Sequence, residues 1–98
     1  MLSVVVRFVV KTGHHARFLD RAVQQAVDTR NHEPECLQFD VCVDSADPHR
    51  VLLYEIYTGE AAFGQHLLAS HFQSFDADTR ASVEEKTVER WSRVEPVR

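Results

Sequence analysis

The sequence predicts an α+β fold: a ferredoxin-like βαββαβ order, with helices on one face of a four-stranded antiparallel sheet. Three observations predict it. A valine-rich opening run gives way to a helical hydrophobic period. Two further apolar runs lie close together across a short turn-forming segment, as in an antiparallel hairpin. A second helical stretch and a last mixed segment complete the order. The 98 residues make one domain, 1–98.

Ser3 to Lys11 reads as a strand because β-branched valine dominates it. Val4, Val6, Phe8 and Val10 share one face, and Val5, Arg7, Val9 and Lys11 the other, so both faces are partly apolar. Thr12 is the expected N-cap of a helix from His14 to about Arg30. Its expected buried stripe is Phe18, Leu19, Ala22, Val23, Ala26 and Val27, with Arg17, Asp20, Arg21, Gln24, Gln25 and Asp28 on the wet side. Asn31 to Glu35 is an expected loop, since Pro34 disfavours helix in the residue before it.

Leu37, Phe39, Val41 and Val43 alternate with polar residues and predict a second strand. Ser45 to Pro48 is turn chemistry, and Val51 to Tyr57 is a central strand. Helical pieces are expected from Glu60 to Ala69 and from Ser70 to about Ser82, then a strand from Lys86 to Val94, ending at Pro96. The first and third strands are apolar on both sides while helices cover only one, so the bare face predicts a homodimer packed sheet to sheet.

Composition excludes several classes. Hydrophobic residues at 44% and charged residues at 27% are globular values, so the chain is not wholly disordered. A net charge of −4 disfavours a sequence-independent nucleic-acid binder. The Val4–Val10 run holds Arg7 and is far shorter than the about 20 residues of a membrane span. No basic region precedes it and no small-residue cleavage site follows, so no signal peptide is expected and the cytoplasm is the expected location. Cys36 and Cys42 lie roughly 20 Å apart on one strand, too far to bridge, and are expected reduced.

Motifs for dinucleotides, P-loop phosphates and C-x-x-C chemistry are missing, and no cofactor or metal is expected. Of the six histidines, His14, His15 and His49 read as solvated, and His32 as an exposed loop residue or pocket rim. His66 and His71 stand five apart, which turns the second about 140° from the first on a straight helix. They converge only if the helix breaks near Ser70. They are then either structural or neutral imidazoles that exchange hydrogen bonds with a substrate oxygen. Glu55 sits in an apolar strand and needs a partner, either Arg7 or Arg90, or a place in a pocket with a raised pKa. Tyr57 shares its face; Phe72, Phe75 and Trp91 are core or cavity walls.

Several segments together carry a family resemblance: Glu33-Pro34-Glu35-Cys36-Leu37-Gln38-Phe39-Asp40-Val41, Asp47-Pro48, Tyr54-Glu55-Ile56-Tyr57, Ala61-Ala62-Phe63, His66 and Ser70-His71-Phe72. Over residues 3–94 the chain resembles the antibiotic biosynthesis monooxygenase (ABM) superfamily. The resemblance implies a dimeric α+β barrel of ferredoxin-like subunits, with a substrate pocket between sheet and helices. It implies a cofactor-independent monooxygenase that oxidises an aromatic or quinol-type small molecule with molecular oxygen. Other members include an isomerase of a small phosphorylated signalling sugar, for which Arg7 or Arg90 would serve as phosphate site; a non-catalytic dimeric binding module is a third reading. By motif position the expected catalytic residues are His66, His71 and Glu55, and the expected substrate contacts are Asn31, Tyr57, Phe72 and Trp91. Glu35 stands where the family usually has glycine, which predicts a differently shaped loop. The haem-degrading branch fits poorly, since no asparagine occurs in Ser3–Lys11.

Overall fold

The computed structural model describes residues 1–94. Strand β1 (Leu2–Val10) leads into helix α1 (His15–His32), then strands β2 (Cys36–Val43) and β3 (Arg50–Tyr57). Helices α2 (Glu60–Leu68) and α3 (Ser70–Thr79) follow, and a 3₁₀ turn, Arg80–Ser82, leads into β4 (Val83–Ser92). The sheet order is β2-β3-β1-β4, antiparallel throughout, so the predicted ferredoxin-like α+β architecture is the observed one.

Register turns the strand patterns into rows of side chains beneath the helices. Phe39, Glu55, Val4 and Arg90 lie side by side across the four strands; Val41, Leu53, Val6 and Val88 make the next row; Val43, Val51, Phe8 and Lys86 the third. The central members of each row are buried, and Phe18 of α1 packs on Phe8 with ring centroids 4.9 Å apart. The opposite sheet face carries Val5, Val9, Leu52, Tyr54 and Trp91, interrupted by an Arg7–Glu89 ion pair at 3.3 Å. Cys36 is buried, Cys42 is exposed, and both are free.

The hairpin turn is held by its own aspartates. Asp44 Oδ1 accepts from Ala46 N at 2.8 Å, and Asp47 Oδ1 accepts from His49 N at 2.9 Å. These are the Asx contacts that favour such residues in turns.

Several boundaries and one helix face differ from expectation. The N-cap of α1 is His14, not Thr12, and no side chain caps it; Gly13 takes a left-handed φ of 82° and delays the first helical residue. The helix runs through Asn31 and His32, because the residue that Pro34 restricts is Glu33, the C-cap. Its buried stripe is Phe18, Ala22, Gln25 and Thr29, so Gln25 lies inside, whereas Val23 and Val27 are half-exposed. Those four keep a 4-3-4 spacing on one side of the helix; the expected stripe was wider than the covered side. Strand β4 starts three residues before Lys86 and stops at Ser92. Pro96 lies outside the described residues.

Candidate active site

Between the sheet and the helices lies a cavity of about 160 Å³. Phe39, Leu53 and Val6 from the sheet and Phe63, Leu67, Phe72 and Phe75 from the helices form its apolar walls. Its polar side chains are Gln25, Glu55 and His66, with Lys86 and Arg90 from β4.

The helix break brings two histidines together. Ala69, between α2 and α3, is extended (φ −67°, ψ 139°), and this redirects the chain at the place where convergence required it. The His66 and His71 rings come within 5.8 Å of each other, centroid to centroid. Glu33, at the C-cap of α1, reaches between them: His66 Nδ1 donates to its Oε2 at 2.8 Å. His71 Nε2 lies 2.6 Å from the same oxygen but is not aligned for a hydrogen bond. The other nitrogen, Nδ1, lies 3.2 Å and 3.4 Å from the Gln25 amide atoms, and Gln25 Nε2 donates to Thr29 Oγ1 at 3.3 Å.

Glu55 is buried on β3 and accepts from the Tyr57 hydroxyl at 2.6 Å; neither Arg7 nor Arg90 is its partner. Its Oε1 lies 3.9 Å from His66 Nε2, a gap too long for a direct hydrogen bond. Burial pushes the Glu55 carboxyl up to about 7, with Glu33 adding to the rise, against the Tyr57 hydrogen bond and Lys86. Burial and the neighbouring Glu55 raise the Tyr57 phenol, so it stays protonated and donates. Burial holds His66 below its usual value, despite the Glu33 carboxylate, and the nearby His71 adds to the drop. His66 is therefore neutral near pH 7. Donation from Nδ1 to Glu33 then leaves the Nε2 lone pair on the Glu55 side.

Of the residues singled out from sequence, Glu55, His66, Phe72, Phe75 and Arg90 line the cavity. Tyr57 is fully buried behind Glu55, and His71 stands behind Glu33 rather than on the cavity wall. Asn31 is exposed on the last turn of α1, and Trp91 is 59% exposed on the far face of the sheet, opposite Ser3; neither borders the cavity. Strand alternation explains Trp91: its neighbour Arg90 points under the helices, so Trp91 points away. Arg7 is likewise on the far face, so it cannot serve a ligand in this cavity. Glu33, Gln25 and Lys86 are the members that sequence reasoning missed. The signal for Gln25 was its spacing from Phe18, Ala22 and Thr29; that for Glu33 was a carboxylate at a helix C-terminus, where the dipole opposes it. Glu35 adopts no left-handed conformation; its carbonyl accepts from Thr58 N and its carboxylate from Thr58 Oγ1.

Glu33, His66 and His71 each present one ligand atom within 4.8 Å of the others, the donor types of a divalent-ion site. Donors around one ion with bonds near 2.1 Å sit about 3–4 Å apart. Both imidazole contacts to Glu33 are shorter than that, so the carboxylate must withdraw from both rings before an ion can enter. Among the described residues no helix is long and apolar enough to cross a membrane.

The sequence profile of the antibiotic biosynthesis monooxygenases matches residues 1–78. Among solved structures, the chain is similar to an antibiotic biosynthesis monooxygenase at 27% identity and a TM-score of 0.89, over 96% of this chain and 99% of that one. A candidate antibiotic biosynthesis monooxygenase from Nitrosomonas europaea shares the fold at 21% identity and a TM-score of 0.91, over 96% and 99% of the two chains. Another, from Deinococcus radiodurans, does so at 20% identity and a TM-score of 0.91, over 100% and 97%. No protein of curated function matches the chain. The match over most of its length, on the fold and cavity described above, makes this chain a member of the antibiotic biosynthesis monooxygenase family.

Proposed function

We propose that the protein is a cofactor-independent monooxygenase that oxidises an aromatic, quinol-type small molecule with molecular oxygen. The observation that carries this reading is an aromatic-walled cavity where a neutral imidazole, oriented by Glu33, stands 3.9 Å from the buried carboxyl of Glu55. A phenolic hydroxyl bound beside both groups gives its proton to His66 Nε2, and Glu33 stabilises the imidazolium that forms. Glu55, when protonated, donates to a ring oxygen, and Tyr57 holds it in place. The phenylalanines stack on the ring and exclude water. The ring anion is then the reductant. For a hydroquinone, one oxygen atom enters the ring and the other leaves as water, so that hydroquinone plus O₂ gives hydroxyquinone plus H₂O, in balance.

His71 acts through Glu33 as a positioning residue on this reading. The protein works as a homodimer in the cytoplasm, with the apolar sheet face buried against a second copy; Val5, Val9, Leu52, Tyr54 and Trp91 on that face support this. Oxygen uptake over a panel of quinols and anthrones tests the activity. Saturable binding without uptake would leave a binding module, and phosphate competition would favour the isomerase reading.

A further inference from the structure

The cavity has two chemically distinct ends. Glu55 and Arg90 stand in one row across the sheet, with Val4 between them. Strands lie about 4.8 Å apart, so the two backbones are separated by roughly 10 Å. Acid–base groups face one end of this row and cations the other. Arg90 and Lys86 lie on β4 at alternate positions beneath the helices, with Val88 between them.

Both cations are held against aromatic walls. The Arg90 guanidinium is 5.0 Å from the centre of the Phe63 ring, and Lys86 Nζ is 5.6 Å from that of Phe72 and 5.7 Å from that of Phe8. Each has a single carboxylate partner: Glu60 Oε2 is 3.7 Å from Arg90, and Asp76 Oδ1 is 3.5 Å from Lys86. Each of these two cavity-lining cations has one carboxylate partner, and with three donors on Lys86 and five on Arg90 both retain donors for an anion. Size narrows the class further. About 160 Å³ is close to the 150 Å³ cavity, lined by apolar side chains, that accommodates benzene in another protein. The walls take about one ring, and a larger fused system has to extend out through the opening.

We propose that the substrate is a single-ring dihydroxybenzene bearing a carboxylate, with a hydroxyl at Glu55 and His66 and the carboxylate at Arg90 and Lys86. This rests on the monooxygenase reading for the hydroxyl end, while the cationic end stands on binding alone. Arg90 and Lys86 set specificity, and the phenylalanines set ring count.

The test is anaerobic calorimetry on the full chain with four probes: gentisate (a dihydroxybenzoate), its uncharged methyl ester, hydroquinone and anthrone. Gentisate is expected to bind at least ten-fold tighter than its ester or hydroquinone, with anthrone weakest. That ratio is expected to fall towards one in a Lys86→Gln, Arg90→Gln double variant. Because the ratio is internal to each variant, a general loss of stability does not mimic the result. Equal affinity for acid and ester, or tighter binding of anthrone, overturns the proposal. Oxygen uptake is measured separately. A clear acid preference without uptake supports the ligand class and defeats the monooxygenase reading; uptake on neutral quinols without an acid preference defeats the ligand class alone.

Discussion

His66 Nδ1 donates to Glu33 Oε2 at 2.8 Å, joining α2 to the end of α1. The bond fixes the tautomer, so the proton-accepting nitrogen is the one near Glu55. His66→Ala is expected to lower turnover on a responsive quinol by about 10²–10⁴-fold, the usual worth of a general base. Glu33→Gln removes the acceptor charge that holds this tautomer and is expected to lower kcat by at least about 10²-fold, with a smaller change in KM. Steady-state oxygen uptake reads both. Full turnover in His66→Ala and in His71→Ala would end the assignment.

Glu55 makes stability depend on pH. Its folded pKa, about 7, is above the ordinary 4.5, so the folded state holds the proton more tightly. The stabilisation is fully present below pH 4.5 and is lost as pH rises through 7. Over that window it is worth ~3 kcal/mol. Glu55→Gln removes this slope. Relative to the parent, the variant is expected to gain stability between pH 4.5 and 7.5, by urea unfolding at a series of pH values. His66 runs the other way: its lowered folded pKa costs stability as pH falls through 6.5. A parallel pH dependence in parent and variant would show that Glu55 is not buried as a titrating acid.

Much of the fold was legible because strand and helix periods differ, and because Pro34, Asp47-Pro48 and Gly59 punctuate the chain at element ends. The site was legible in part. Glu55 stood out as a charge in an apolar strand, and the 140° offset of His66 and His71 stated in advance what backbone break would unite them. Glu33 and Gln25 were hidden because both are ordinary surface residues by type. Gln25 is buried with its amide between Thr29 of its own helix and His71 of a different one, and sequence spacing does not record contacts 46 residues apart. Trp91 was misplaced because an aromatic near a cavity strand suggests a wall, whereas the strand's phase assigns it to the other face.

Tyr57 tests whether Glu55 needs its donor. Tyr57→Phe removes the 2.6 Å hydrogen bond but keeps the ring packed on Phe63. A bond to a charged group is worth about 1.5–3 kcal/mol, so the variant is expected to lose about that above pH 7 and less below pH 4.5. Since this bond lowers the Glu55 pKa, its loss is expected to move the alkaline limb of the kcat/KM profile to higher pH. An unmoved limb would mean that Glu55 does not set it.

The far face of the sheet supplies the last test. Leu52 lies opposite Arg7 across the β1–β3 ladder, and Arg7 is paired with Glu89 on β4. Leu52→Arg therefore sets a second cation beside Arg7 with no added acceptor, and like charges directly opposite are destabilising. In a dimer packed through this face the new charge is also desolvated, which weakens association further. The parent is expected to sediment at twice the chain mass and Leu52→Arg at the single-chain mass, with gentisate binding retained because the cavity opens on the other side of the sheet. A parent that sediments as a single chain at micromolar concentration would show that this face stays uncovered. Its valines, Leu52 and Trp91 would then be scattered surface apolar residues, divided by the Arg7–Glu89 pair into patches too small to drive self-association.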